Sequence, residues 1–272
     1  MSAAPAASFR DAELAFGHRT LWSGLNLEIE PGEYVAVLGG NGTGKTSLLR
    51  VLLGLQPLSS GTVHVAGQAV RRGSAEIGYV PQQRAFDDRT PLRGRDLVGL
   101  GIDGHRWGPR ILGRKAHRER VNTLLERVGA LEYADAPIGQ LSGGEQQRLR
   151  VAQALATDPS LLLFDEALLS LDLHRQSQLA QLVAEQRDRT GAAVLFVTHD
   201  VNPIIDDVDR VLYLANGSFR VGTPAEVLRS DVLSELYGAR VEVMNVAGRV
   251  LVVGAEIVDH CHPPTTPEEV NR

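Results

Sequence analysis

Cysteine is almost absent. Cys261 is the only one in 272 residues, so no intrachain disulfide framework can form, and the composition fits a reducing compartment. Lysine is nearly as scarce: of 28 basic residues only Lys45 and Lys115 are lysines, so the lysine at Lys45 asks for a specific reason. No apolar run approaches the roughly 20 residues needed to cross a bilayer. The first residues, Met1 to Phe16, have no basic stretch leading into an apolar core, so no secretion signal is read there. A cytoplasmic protein is expected, one that acts at a membrane only if something else holds it there. Basic charge is not in excess either; the net charge is −5, which argues against general nucleic-acid binding. The remaining composition, 43% hydrophobic and 22% charged, is that of an ordinary globular chain long enough for one large domain and a small appendage.

The first third reads as strands. Ala7–Phe16 and residues 25–30 alternate apolar and polar positions, and residues 34–38 form a short apolar run ending in glycine. A helix follows from Gly44, with Leu48, Leu49, Val51, Leu52 and Leu53 on its buried side, and residues 62–66 and Ile77–Val80 look like further strands. From Gln82 to about Gln140 strand patterns vanish and charge rises. Residues 114–128 place Val121, Leu124, Leu125 and Val128 on one helical face, the mark of a helical insertion. Strand, helix and strand return at residues 161–164, 170–187 and Ala193–Val197. Thr223-Pro224-Ala225-Glu226 is a helix start, residues 241–246 and 249–253 around Ala247-Gly248 suggest a hairpin, and the proline-rich, polar end from Ala255 reads as disordered. No internal repeat is visible.

Two segments carry chemistry on their own residues. Gly39-Gly40-Asn41-Gly42-Thr43-Gly44-Lys45-Thr46 matches G-x-x-x-x-G-K-[ST] between a strand and a helix. Its glycines let backbone N–H groups converge on phosphate oxygens at a helix N-terminus; Lys45 would bridge the β- and γ-phosphates, and the Thr46 hydroxyl would ligate Mg²⁺. Leu161-Leu162-Leu163-Phe164-Asp165-Glu166 is an apolar strand ending in two acids, one suited to the cation and one to orienting an attacking water. Leu141-Ser142-Gly143-Gly144-Glu145-Gln146-Gln147-Arg148-Leu149 is the most telling stretch. It resembles the signature of ATP-binding cassette (ABC) ATPases, a motif that other phosphate-loop families lack, and the resemblance extends over about residues 7–237.

That resemblance implies an α/β fold: a P-loop ABC ATPase core with a mixed sheet, flanking helices and an antiparallel β subdomain, plus an inserted helical subdomain. The expected division is an ATPase domain at residues 1–237 with the helical subdomain at about 84–157, a hairpin extension at 238–254, and a disordered tail at 255–272. The resemblance further implies ATP and Mg²⁺ as cofactors. Gly39, Asn41, Gly42, Thr43, Gly44, Lys45, Thr46 and Ser47 would hold phosphates. Phe16 matches the aromatic that stacks on adenine, or else is a core residue of its strand. Gln82, with Gln83 beside it as the other candidate, matches the glutamine that senses the cation and contacts a transmembrane partner. Asp165 would hold Mg²⁺, Glu166 would polarise water, and His199, in Val197-Thr198-His199-Asp200, would contact the γ-phosphate. Ser142, Gly143, Gly144 and Asp172 would serve the nucleotide of a second subunit, which demands a head-to-tail homodimer with two composite sites. Ala167 in place of the usual proline, Glu145 in place of glutamine, and the order Lys45-Thr46-Ser47 depart from the pattern without removing a catalytic group.

An ABC importer subunit is the leading expectation, working with integral-membrane permease subunits and, through them, a substrate-binding protein, with residues 82–96 as the contact surface and no nucleic-acid partner. The interval from Lys45 to Leu141 has no room for the coiled coil of DNA-repair relatives, and one cassette argues against the ribosome-acting ones. The segments at residues 90–98, 165–172, 222–224 and 236–238 look like those of zinc/manganese-type importers; iron chelates, another small nutrient, or an exporter with separate membrane subunits are the alternatives. His260, Cys261 and His262 offer zinc-type ligands on the tail, or are incidental residues of a solvated end.

Overall fold

The computed structural model describes residues 4–82, 87, 90–104, 113–169 and 171–254. In chain order its elements are β1 (Ala7–Phe16), β2 (Arg19–Ile29), β3 (Tyr34–Gly39), α1 (Lys45–Leu52), β4 (Ser60–Val65), β5 (Gln68–Ala69) and β6 (Ile77–Val80). Three helices follow, α2 (Gly94–Asp103), α3 (Arg114–Arg127) and α4 (Gly143–Ala154). Then come β7 (Leu161–Asp165), α5 (Leu173–Thr190), β8 (Ala193–Val197), β9 (Arg210–Ala215), β10 (Ser218–Gly222), α6 (Pro224–Val227), α7 (Ser230–Tyr237), β11 (Glu242–Val246) and β12 (Arg249–Val253).

The apolar runs that read as buried strands become the middle of a six-stranded sheet ordered β10-β9-β3-β8-β7-β6. Neighbours from β9 through β6 are parallel and β10 is antiparallel at the edge. Such strands need apolar residues on both faces, and the period of two sorts them. Val35, Val37, Leu163, Leu195 and Val197 join one core cluster, while Tyr34, Ala36, Phe164, Val194 and Phe196 join the other. In the second cluster Phe164 stacks on Phe196 with ring centroids 5.0 Å apart, worth roughly 0.5–1.5 kcal/mol beyond area burial.

The first cluster also contains Leu48, Leu49, Val51 and Leu52 of α1 and the inward side chains of a four-stranded antiparallel sheet, β2-β1-β4-β5. The opposite face is covered by α2 to α5 and α7, whose apolar stripes include Val98, Leu124, Leu149 and Val183. The architecture is therefore a mixed sheet with flanking helices, an antiparallel β region and a helical region, the arrangement that the resemblance implies. Between β6 and β7 the described residues form no strand, in line with the helical insertion expected there.

Local differences from the sequence reading have local causes. The helix expected over residues 170–187 runs Leu173–Thr190 because the Asp172 carboxylate accepts the backbone N–H of Arg175 at 2.9 Å, a cap that starts the helix after it. It ends at Gly191, whose φ of 69° is left-handed and stops the helix. β2 starts six residues before the expected 25, since Leu21 and Trp22 continue the buried side of the strand. The start at Thr223 is present as a capping box with Glu226, yet it supports a single turn before α7 takes over.

Candidate functional site

Parallel strands bring their carboxyl ends to one side of a sheet, where ligands of such folds bind. Four adjacent strands deliver the expected residues there: β3 leads into the phosphate loop, β6 into Gln82, β7 into Asp165 and Glu166, and β8 into His199. At Gly39 (φ 140°) a Cβ would come within 2.2 Å of the Leu214 carbonyl oxygen of β9, so the loop can leave the sheet there only through glycine. Gly40, Asn41 and Gly42 turn, Thr43 Oγ1 donates back to the Gly40 carbonyl at 3.0 Å, and α1 begins at Lys45 with Ser47 in its first turn.

Lys45 folds over this loop. Its ammonium donates to the carbonyls of Gly39 and Gly40, both at 2.8 Å. Burial pushes the amine below its ordinary pKa, opposed by the nearby charges of Glu166 and Asp165. Thr46 Oγ1 donates to Asp165 Oδ1 at 3.1 Å, joining the loop to the end of β7, and Tyr79 OH donates to Asp165 Oδ2 at 3.4 Å. Burial raises the Asp165 carboxyl; the Thr46 hydrogen bond opposes that rise, and the Glu166 charge adds to it. The Tyr79 phenol, buried beside the same carboxylate, is pushed up to about 12. Tyr79 was not foreseen as part of the site. Its signal is the strand register, Tyr79 opposite Leu163 two residues before Asp165, which no single-sequence motif displays.

Glu166 carries the next step of the arrangement. It has left-handed backbone (φ 49°), fixed by its N–H donating to the Val197 carbonyl at 2.9 Å. Strained backbone of this kind needs surroundings that hold it. Its side chain is 14% exposed; one oxygen accepts from Gln82 Nε2 at 2.8 Å and the other lies 2.5 Å from His199 Nε2. Gln82, Glu166 and His199 thus meet at one point. Gln82 bonds Glu166 rather than Thr46 or Asp165, so its assignment as a cation ligand has no counterpart in these contacts. Gln83 lies outside the described residues.

Phe16 stands at the end of β1 and is 49% exposed, which removes the core alternative. Opposite it on β2, Arg19 donates to the Gly42 carbonyl at 3.0 Å and holds this turn against the phosphate loop. The oxygen pair Thr46–Asp165 suits a hard divalent cation that keeps few protein ligands and shares phosphate oxygens.

Ser142, Gly143, Gly144 and Asp172 are gathered elsewhere. Ser142 caps α4: its Oγ accepts the Glu145 N–H at 3.4 Å, and its own N–H donates to Glu145 Oε2 at 2.7 Å, a reciprocal box that the Glu145 variant completes. The stem of Arg175 lies against Gly144, within 3.2 Å of where a Cβ would stand, while Arg175 Nε pairs with Asp172 at 3.2 Å. The cavity lined by Ser142, Gly144, Glu145, Arg148 and Arg175 contains none of Lys45, Asp165, Glu166 or His199. Among the described residues no cluster of three or more His, Cys, Asp or Glu forms a metal centre. The tail residues His260, Cys261 and His262 lie outside the described residues, as does the disorder expected for residues 255–272. No helix among the described residues is long and apolar enough to cross a membrane.

Residues 22–169 match the family model described as ABC transporter. The chain is 38% identical over 222 residues to the zinc import ATP-binding protein ZnuC of Cereibacter sphaeroides, covering 82% of this chain and 84% of that protein. It is 34% identical over 230 residues to the manganese transport system ATP-binding protein MntB of Halalkalibacterium halodurans, covering 84% and 90% respectively. Among solved structures it resembles the dimeric ATP-binding cassette MJ0796 bound to ADP and Pi, with a TM-score of 0.66 and 25% identity over 80% of this chain and 98% of that one. The chain belongs to the ABC transporter family, as an ATP-binding subunit that hydrolyses ATP.

Proposed function

We propose that this chain is the ATPase subunit of an importer for a divalent metal ion, zinc or manganese, and that it couples ATP-driven dimerisation to passage of the cargo through separate membrane permease subunits. The observation that carries the reading is the similarity to ATP-binding proteins named for zinc import and manganese transport, each matched over more than four-fifths of both chains. The subunit then sits on the cytoplasmic face of the membrane, held by the permease at residues 82–96, of which Gln82, Asp87 and residues 90–96 are described. A substrate-binding protein would present the metal outside. Residues 1–237 are assigned to the ATPase domain, with the helical subdomain at about 84–157 and 238–254 as its appendage.

In this reading Phe16 stacks on adenine, and the loop from Gly39 to Ser47 wraps the phosphates with backbone N–H groups and the Lys45 ammonium. The contacts Lys45 makes with the Gly39 and Gly40 carbonyls are exchanged for phosphate oxygens. Thr46 and Asp165, with Gln82 nearby, are the side chains that would hold Mg²⁺, and the cation would neutralise phosphate charge. Glu166 orients the attacking water and accepts its proton, and His199 holds Glu166 on one side and the γ-phosphate on the other. Ser142, Gly143, Gly144 and Asp172 serve the nucleotide of a second copy, a reading supported by their separation from Lys45 within one chain and by the dimeric cassette among the similar structures. ATP then closes a head-to-tail pair, and its hydrolysis opens it.

The test of cargo is metal uptake in cells of the source organism whose chromosomal copy carries Glu166→Gln. Loss of zinc or manganese accumulation in metal-depleted medium is expected; unchanged uptake of both metals, with ATPase activity of the purified variant lost, overturns the assignment. Calorimetric zinc titration of the full chain against one ending at Gly254 tests the tail, and equal binding by both removes it from the reading.

A further inference from the structure

His199 leaves β8 on a loop, residues 198–209, that rejoins the sheet at β9. Its imidazole meets Glu166, so whatever holds the loop also places the imidazole. Val201 and Ile204 are buried in the core, whereas His199 and Asp200 are exposed and take their positions from hydrogen bonds. At the sheet, the Thr198 N–H donates to the Val37 carbonyl at 3.2 Å, and Thr198 Oγ1 accepts the Asp200 N–H at 3.2 Å. Beyond Asp200 a single side chain continues this series of bonds. Asp200 Oδ1 accepts the Asn202 N–H at 2.9 Å and the Asn202 amide Nδ2 at 2.7 Å, a turn closed by an aspartate two residues back.

Asn202 also grips the β11–β12 hairpin. Its Oδ1 accepts the Val250 N–H of β12 at 2.7 Å, and its Nδ2 donates to the Val250 carbonyl at 3.0 Å. Register makes both Val250 groups available. Val246 and Arg249 flank the two-residue turn, Asn245 faces Val250, and alternate residues of an antiparallel pair point their N–H and C=O outward. The amide has one orientation that serves all its partners, since the atom facing the Val250 carbonyl and the Asp200 carboxylate must be a donor. On its other edge the hairpin is fixed to α7, where the Val243 N–H donates to Ser230 Oγ at 2.9 Å. Between hairpin and loop lies a cavity of about 250 Å³ walled by Gly39, His199, Asn202, Val250 and Leu251. Groups beside a void lack the contacts that would fix them, so the hydrogen bonds that cross it decide where the loop stands.

We propose that Asn202 is a positioning residue for ATP hydrolysis, a clasp through which the β11–β12 hairpin holds His199 against Glu166. Among the described residues its side-chain bonds go to Asp200 and Val250, so it acts through the loop and not on the nucleotide. The proposal rests on the reading of His199 as the residue that joins Glu166 to the γ-phosphate. With the clasp closed, imidazole and carboxylate stay within reach of each other. With it open, the cavity gives the loop room to withdraw, and Glu166 loses the partner that aligns it. A misplacement of about 1 Å, caused far from the chemistry, can lower a rate by roughly 10²-fold. The hairpin thereby belongs to the hydrolytic machinery although it contributes no reacting group.

Steady-state ATP hydrolysis by the full chain, normalised to the fraction that binds ATP, is the test. Asn202→Ala should lower kcat roughly tenfold with the KM for ATP kept, because the groups that bind nucleotide are untouched. Val250→Pro approaches the clasp from the other side: it removes the N–H that Asn202 accepts, on an edge strand where proline is tolerated. It should also lower kcat, and adding Asn202→Ala to it should cost little more, the sign of one shared interaction. The His199→Ala background separates positioning from mere stabilisation. There Asn202→Ala should leave the residual turnover unchanged, whereas a purely structural residue would lower it in either background. Wild-type kcat in Asn202→Ala overturns the proposal. So does a further loss in the His199→Ala background, or additive losses from Asn202→Ala and Val250→Pro. Full turnover in His199→Ala alone overturns the reading of the site, and the clasp with it, an outcome distinct from the others.

Discussion

At the ends of neighbouring strands Asp165 is bonded to Thr46 at the start of α1 and Glu166 to His199, while Lys45 is bonded to the Gly39 and Gly40 carbonyls of the loop after β3; Ser142 and Asp172 stand at the starts of two other helices and are bonded to their own helix backbones. The first group is rigid because a buried sheet sets the spacing of its strand ends, and its polar atoms already satisfy each other. The second is two caps joined by one side chain, Arg175, that lies against Gly144 and pairs with Asp172. A site assembled from strand ends keeps its geometry alone. A pair of caps offers N–H groups and a helix dipole to an anion that comes from outside.

Breaking the first group should have the largest effect. Glu166→Gln keeps the shape and a bond to Gln82 or His199 but removes the base, so ATP turnover should fall by about 10²–10⁴-fold while ATP binding persists; phosphate release and light scattering with ATP check both, and retained turnover would remove Glu166 from its role. Next is Ser142→Asp, a substitution that separates capping from phosphate contact. Aspartate caps as well as serine, so the melting temperature without nucleotide should hold, whereas ATP-driven dimerisation should be lost to charge repulsion. Ser142→Ala should instead cost about 1 kcal/mol of stability, and equal loss of dimer in both variants with equal melting curves would count against the distinction.

Asp165→Asn sharpens the comparison from the stability side. A buried carboxylate whose pKa is raised in the folded chain binds its proton more tightly folded than unfolded, so its ionisation costs stability once the pH exceeds the folded pKa, and that cost is absent below the unfolded value. The asparagine variant should therefore melt higher than wild type at neutral pH, by roughly 2–4 °C per kcal/mol recovered, with the gain vanishing as pH falls through the ordinary carboxylate range; ATPase activity should be lost throughout. A wild-type advantage in melting at pH 7 would contradict the burial argument. The smallest effect is expected for Arg175→Ala, which leaves both caps formed but loosens Gly144 from Asp172. Its apparent KM for ATP should rise several-fold with kcat nearly kept, within the roughly 1 kcal/mol of an exposed ion pair, and the converse split would argue that Arg175 touches the reacting phosphate.

Much of this was legible in the chain. β1, β6, β8 and β12 lie where period-two patterns or apolar runs predicted them, since a strand buried on one or both faces must advertise its apolar positions. Where a cap rather than a core contact sets a boundary, as at Asp172 for α5, the apolar pattern misplaces it by a few residues. Phe16 could not be assigned between core and surface from sequence, because a strand's last residue belongs to either; its exposure decides. Tyr79 and Asn202 were invisible for a different reason. One reaches Asp165 and the other Val250, 86 and 48 residues along the chain, through register and loop packing that no local spacing encodes.

The sequence by itself determined the chemical groups and their order: a phosphate loop with one lysine, two acids ending an apolar strand, a serine–glycine cap and a histidine after a strand. These follow from local requirements of glycine, caps and burial, which a chain must satisfy residue by residue. Tertiary structure alone decided which of those groups share a site. Parallel pairing of β6, β7, β8 and β3 brings Gln82, Glu166, His199 and the Lys45 loop to one edge of the sheet, while the helical region carries Ser142 away from it. That separation is set by packing of helices on the sheet's far face, a long-range balance of burial that no motif records.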